Sequence, residues 1–197
     1  ITIIKEPEGF EELYSKDIGP GNCLIDTWVR ANSDKRFDKD GELAFAGQKN
    51  EIILEQALEL FSNRLNINKL SYDINDFDVS FARGLSLEDG TTTLTNFTAR
   101  VIGESLIQFI DKLNIEINNI IMCGGGRKNK ALVNYIKKNI PSKIKLEMID
   151  DYEINGDFIE SQAFAYLAIR SFKNLPISFP KTTGCKKPSL GGEQANN

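Results

Sequence analysis

Asp17-Ile18-Gly19-Pro20-Gly21-Asn22 runs without a break into Cys23-Leu24-Ile25-Asp26-Thr27-Trp28-Val29. The second stretch carries apolar residues at helical spacing, Leu24, Ile25, Trp28 and Val29, so the join reads as a strand, a tight turn and the start of a helix. Gly19 and Gly21 remove the Cβ atoms that would hold a ligand off the backbone, and Asn22 is of the residue type that caps helix N-termini. Backbone N–H groups at such a turn can receive a phosphate, with the Asp17 carboxylate projecting into the same space. The same residues also suit a plain turn with an ordinary cap, and spacing alone leaves both readings open.

On the N-terminal side, β-branched Ile1-Thr2-Ile3-Ile4 predicts a strand and Glu6-Pro7-Glu8-Gly9 a turn. A returning strand from Phe10 to Tyr14 would complete a hairpin and deliver the chain to Asp17. Beyond the helix, Phe37-Asp38-Lys39-Asp40-Gly41 has the front of a calcium loop without its third acidic position or distant Glu, so a solvated turn is expected. A helix over about 50–63 places Ile53, Leu54, Ala57, Leu58 and Phe61 on one face. Residues 65–83 are polar and aperiodic, a long loop of the kind that is often functional or mobile. The longest periodic segment, 87–113, carries Leu94, Phe97, Val101, Leu106, Phe109, Ile110 and Leu113 at three- and four-residue steps and predicts the central packing helix.

A second strand–turn–helix unit follows. Asn119-Ile120-Ile121-Met122-Cys123 suits a short buried strand, Gly124-Gly125-Gly126 a sharp corner, and 129–138 a helix with Leu132, Val133 and Ile136 inward. Open α/β sheets place nucleotides at such corners, although this one matches neither the dinucleotide fingerprint nor the phosphate-loop pattern, and a structural turn explains it equally. Residues 144–149 predict a further strand. Asp157 and Glu160 stand at capping-box spacing before Ala163-Phe164-Ala165-Tyr166-Leu167-Ala168-Ile169; capping and a ligand contact by Glu160 both remain open. The tail from Thr182 to Asn197 reads as loop with a loose end.

Composition narrows the function. With 41% hydrophobic and 26% charged residues among 197, the chain can build a real core, as one large domain or two small ones. A net charge of −4 argues against nonspecific nucleic-acid binding, and Lys128, Lys130, Lys137, Lys138, Lys143 and Lys145 alternate with apolar residues as solvated surface. There is no histidine, so any general base is a carboxylate before it is a lysine or tyrosine. Cys23, Cys123 and Cys185 are odd in number and widely spaced, which points to a reducing compartment and a cytoplasmic setting. No apolar run reaches membrane-helix length and no secretory signal is visible. A chain beginning at Ile1 in place of Met is expected to be a fragment or a processed product.

These residues also carry a family resemblance. The 17–22 turn with Leu24, Asp26 and Trp28, then Phe37-Asp38-Lys39-Asp40-Gly41, resembles the anhydro-N-acetylmuramic acid kinases. So do Leu94-Thr95-Asn96-Phe97-Thr98-Ala99, Cys123-Gly124-Gly125-Gly126 with Asn129, and Gly156-Asp157 with Glu160, Ala163, Phe164 and Ala165. The blocks follow in the family's order over most of the chain.

The resemblance implies an α/β fold, the actin-like, sugar-kinase (ribonuclease H-like) ATPase lobe with a mixed sheet and flanking helices. Residues 1–197 would form the C-terminal lobe of a two-lobe kinase whose N-terminal lobe is not in this chain. It implies opening of the 1,6-anhydro bond of anhydro-N-acetylmuramic acid by water, coupled to transfer of the ATP γ-phosphate to O6, in peptidoglycan recycling. Asp17 matches the family's catalytic acidic residue, the general base on the water that attacks the anomeric carbon. Gly19, Gly21 and Asn22 would lie at the transferred phosphate, Gly124, Gly125, Gly126 and Asn129 at the nucleotide, and Glu160 at the sugar. ATP and Mg²⁺ are implied, the metal held mainly by phosphates and water, together with a homodimer. Two departures stand out: Ile18 where Thr is usual, and Leu70-Ser71-Tyr72-Asp73-Ile74 where many members carry a basic block. They motivate the alternative of a kinase-like lobe that binds a nucleotide or a partner without chemistry.

Overall fold

The computed structural model describes residues 1–4, 13–64, 72–193 and 195; the expected 6–9 turn and the first part of the 65–83 loop lie outside them. Contacts divide the chain into two units. One is Ile18–Gly156, and the other combines Ile1–Asp17 with Asp157–Asn197. The architecture is mixed α/β, with two two-stranded sheets among the described residues.

The larger unit is built on α4 (Leu87–Leu113), against which α1 (Cys23–Asn32), α2 (Glu42–Ala46), α3 (Glu51–Arg64) and α5 (Lys130–Lys138) all pack. Helix α4 spans the predicted 87–113. Its start is set by Ser86, whose hydroxyl accepts the Asp89 N–H at 3.1 Å, and its end by Asn114 in the left-handed region at φ 50°. Leu94, Phe97, Val101 and Leu106 of the predicted stripe are buried. Trp28 of α1 packs against Gly90, where a Cβ would come within 2.3 Å of the indole, and its ring N–H donates to the Leu87 carbonyl at 3.1 Å.

A run of threonines shares that core. Thr91, Thr93 and Thr95 are fully buried and Thr92 nearly so. Their hydroxyls donate to carbonyls one turn back: Thr91 to Leu87 at 2.7 Å, Thr93 to Asp89 at 2.7 Å and Thr95 to Thr91 at 2.7 Å. Thr92 donates toward both Glu88 and Ala44, each at 2.9 Å, and so ties α4 to α2. The described part of the 65–83 loop is anchored by aromatic packing, with Phe77 on Phe61 at 5.3 Å and Phe81 on Phe97 at 5.0 Å between ring centroids.

The Phe37–Gly41 segment departs from the solvated turn expected of it. Asp38 is 4% exposed and accepts the N–H groups of Leu43 at 2.8 Å and Ala44 at 3.1 Å, which caps α2. Strands β3 (Asn119–Met122) and β4 (Lys145–Met148) pair in parallel, Ile120 facing Leu146. Strand β3 is less buried than its apolar sequence predicts, with Ile121 45% exposed; a described ribbon of two strands leaves part of its face without a cover.

In the smaller unit β1 (Thr2–Ile4) pairs antiparallel with β2 (Leu13–Ser15), Ile3 opposite Tyr14, as the hairpin expectation requires. Helix α6 (Ile159–Phe172) starts with Phe158 at the N-cap position, whose side chain makes no capping bond. None of its residues is buried. The tail is more ordered than expected: α7 (Pro180–Thr183) packs on β2, Ser178 pairs with Ser189, and the Ser171 hydroxyl donates to the Gly191 carbonyl at 2.5 Å. Among the described residues no helix is long and apolar enough to cross a membrane.

Candidate functional site

Three segments of the larger unit converge on one cleft of about 380 Å³. The first is the turn that starts α1. Gly21 takes φ +57°, the Cys23 N–H donates to the Pro20 carbonyl at 3.2 Å, and the Asp26 N–H donates to the Asn22 carbonyl at 2.8 Å. A Cβ on Gly19 would meet Ile102 Cγ1 at 2.7 Å, so the turn lies hard against α4. Asn22 occupies the N-cap position, yet its side chain makes no capping bond. Its amide oxygen is buried without a hydrogen-bond partner, an arrangement that leaves an acceptor waiting for a donor.

The second segment is the glycine corner after β3. Gly124 has φ +73°, and a Cβ built on Gly124 or Gly125 would meet nothing within 4 Å, so open space lies directly over the backbone. A Cβ on Gly126 would stand 4.0 Å from Asn22 Nδ2. The corner and the α1 turn, far apart in the chain, are therefore neighbours. Asn129 lines the same cleft but is 5% exposed, and its amide oxygen accepts the Leu132 N–H at 3.0 Å as the N-cap of α5. Part of its side chain is thus committed to the fold.

The third segment is 36–40. Arg36, Phe37, Asp38 and Asp40 line the cleft together with Asp26 and Arg30 of α1 and Lys128 beside the corner. Burial pushes the Asp26 carboxyl up, against the pull of Arg30 and with the help of Asp38. Burial likewise raises Asp38, opposed by the two backbone N–H groups it accepts. The cleft therefore sets cations suited to phosphate oxygens beside two carboxyls whose pKa burial raises. Sequence reasoning passed over Arg30 and Arg36. Asn22, Asp26 and Arg30 stand four residues apart, one polar face of α1 opposite the buried Leu24, Ile25, Trp28 and Val29, and that spacing was the available signal.

Of the residues singled out from sequence, Asn22, Gly125 and Asn129 line the cleft, and Gly126 adjoins Asn22. Asp17 and Glu160 belong to the smaller unit, and both are exposed. Ile18 is 8% exposed, so the residue that replaces the usual threonine packs inward. Of the altered 70–74 block, Leu70 and Ser71 lie outside the described residues. No group of three or more Cys, Asp or Glu among the described residues could hold a metal ion.

Comparison with known proteins gives one consistent result. The family model described as anhydro-N-acetylmuramic acid kinase matches residues 4–195. A curated relative of that name from Pelagibacter ubique is 51% identical over 187 residues, which cover 95% of this chain and 50% of the relative. Relatives of the same name from Zymomonas mobilis and Caulobacter vibrioides are 37% and 39% identical, each match covering 92% of this chain and 48% and 47% of the relative. The chain spans about half the length of the curated relatives it matches.

Proposed function

The chain belongs to the anhydro-N-acetylmuramic acid kinase family, and from that membership we propose that it forms one lobe of an ATP-dependent anhydrosugar kinase with an actin-like, two-lobe architecture. The observation that carries the reading is the approach of the Gly19–Asn22 turn to the Gly124–Gly126 corner across a cleft whose wall includes an unpartnered buried amide oxygen. Backbone left open at Gly21, Gly124 and Gly125, where an added Cβ would meet nothing within 4 Å, suits a polyphosphate, which needs close approach to N–H groups. Arg30, Arg36 and Lys128 supply positive charge at the same opening.

In this reading Gly19, Gly21 and Asn22 hold the transferred phosphoryl group, and Gly124, Gly125, Gly126 and Asn129 seat the nucleotide. Asp17 acts as the general base. It takes a proton from the water that adds to the anomeric carbon; the C1–O6 bond breaks, and O6 attacks the γ-phosphorus as ADP leaves. Glu160 at the start of α6 is the proposed sugar contact. Mg²⁺ would be held mainly by the nucleotide phosphates and water, neutralising their charge. The three cysteines are free thiols, in keeping with a cytoplasmic enzyme.

The remainder of the protein is the proposed partner. The relatives are about twice as long as the matched region, and α6 exposes Phe164 at 65%, Ile169 at 55% and Phe172 at 74%. A run of large apolar side chains left in water is what a covering lobe would bury. The 197-residue chain alone is accordingly expected to be inactive.

The test is a coupled assay of sugar-dependent ADP release by the full-length protein and its Asp17→Asn variant. Loss of turnover by at least about a thousandfold with the fold intact supports the assignment. Retained turnover removes Asp17 from the chemistry. ATP binding by calorimetry without any sugar-dependent ADP release from the unmodified protein would favour the non-catalytic lobe instead.

A further inference from the structure

An arginine directly after a glycine corner invites assignment to a phosphate, yet Arg127 is used otherwise. Its side chain is 6% exposed, and the guanidinium donates from Nε to Asp150 Oδ2 at 2.6 Å and from Nη2 to Asp150 Oδ1 at 3.0 Å. From Nη1 it donates to the carbonyl of Gly124 at 3.0 Å, the first residue of the corner itself. Asp150 sits in the turn that follows β4, and its Oδ1 also accepts the N–H of Gly156 at 3.3 Å. One ion pair therefore joins the glycine corner, the end of the neighbouring strand and the last residue of the larger unit. Gly156 has to lack a side chain for this, since a Cβ there would come within 2.4 Å of Arg127 Nε.

We propose that Arg127 and Asp150 are positioning residues: a bidentate brace that clamps the Gly124 carbonyl and so fixes the triple-glycine corner in the shape that receives a nucleoside triphosphate. The inference rests on the nucleotide reading of that corner. The physical need is plain, because three consecutive glycines are the most flexible backbone a chain can offer, and a binding loop left unbraced loses affinity to its own disorder. A bidentate guanidinium–carboxylate pair fixes orientation as well as distance, which a lysine at the same place cannot do. Neither Arg127 nor Asp150 lines the cleft, so removal of the brace acts on nucleotide affinity through the corner and leaves the reacting groups in place.

The experiment uses the full-length protein with Asp150→Asn, which keeps the size of a half-exposed side chain, and Arg127→Lys. Amide hydrogen exchange across 124–129 without ligand should quicken about tenfold. The KM for ATP should rise about tenfold with kcat within about twofold. Gly125→Val is the control for the nucleotide reading, since it fills the open space over the corner whatever the brace does. If Gly125→Val raises the KM for ATP while both brace variants leave exchange and KM unchanged, the brace is overturned and the nucleotide reading stands. If Gly125→Val leaves the KM for ATP unchanged, the nucleotide reading falls, and the positioning role falls with it.

Discussion

Helices α4 and α6 reverse the usual relation between composition and burial. Helix α4 carries four threonines in its first three turns and is sealed inside the larger unit, whereas α6, with Phe164, Tyr166, Leu167, Ile169 and Phe172, buries nothing. The threonines tolerate burial because each donor reaches a carbonyl of its own helix, so no polar atom of Thr91, Thr92, Thr93 or Thr95 has to give up water without compensation. The large side chains of α6 stay exposed, Phe164 and Phe172 most of all, and the proposed remainder of the protein is what would cover them. Local chemistry explains the first helix, while the second makes sense in a chain about twice as long.

That contrast can be broken experimentally. The largest effect is expected at the centre of α4: Leu94 has no exposed surface, and Leu94→Ala should cost about 3 kcal/mol by urea unfolding, in this chain and in the longer protein alike. A cost below about 1 kcal/mol would mean that α4 is not the packing axis. Phe164→Ala sharpens the comparison by its dependence on context. It should cost less than about 0.5 kcal/mol in the 197-residue chain and about 2 kcal/mol or more in the longer protein. Equal small costs in both would show that α6 faces solvent throughout.

The smallest effect lies where the larger unit ends. The Arg127 guanidinium holds the Asp150 carboxyl at about 2, below its ordinary 3.8, with the Gly156 N–H adding to the effect. A carboxyl whose folded value is depressed favours the folded state when charged, so its contribution is complete above about pH 4 and is lost as pH falls through about 2. Thermal melts of the unmodified chain and Asp150→Asn should differ above pH 4 and converge near pH 2. A difference that persists unchanged in acid would assign the effect to something other than this charge.

The sequence exposed those elements whose cause is local. Helix α4 is legible because its apolar stripe recurs at three- and four-residue steps within one window. The hairpin and the glycine corner are legible for the same reason. The Asp38 cap was not, because an aspartate between Phe37 and Lys39 reads as solvated until α2 folds back over it. The burial of β3 was overestimated because apolar sequence reports what a strand is able to bury, not which neighbours this chain provides. At the site, Asn22, Gly125 and Asn129 were visible as residue types suited to turns. The cations Arg30 and Arg36 needed the fold to bring 36–40 alongside α1, although the four-residue spacing on α1 already hinted at one of them. Arg127 was visible only as a basic residue, since nothing local announces a partner at position 150.

The division of the chain has a consequence for the order in which it assembles. The larger unit is one unbroken segment, 18–156, while the smaller needs both 1–17 and everything after 156. On a ribosome the larger unit can collapse around α4 before the later part of its companion has left the exit tunnel, and Leu13–Ser15 must wait for α7 to arrive. Chains ending near residue 156 should therefore already protect the α4 core from protease, with Leu13–Ser15 still open to cleavage.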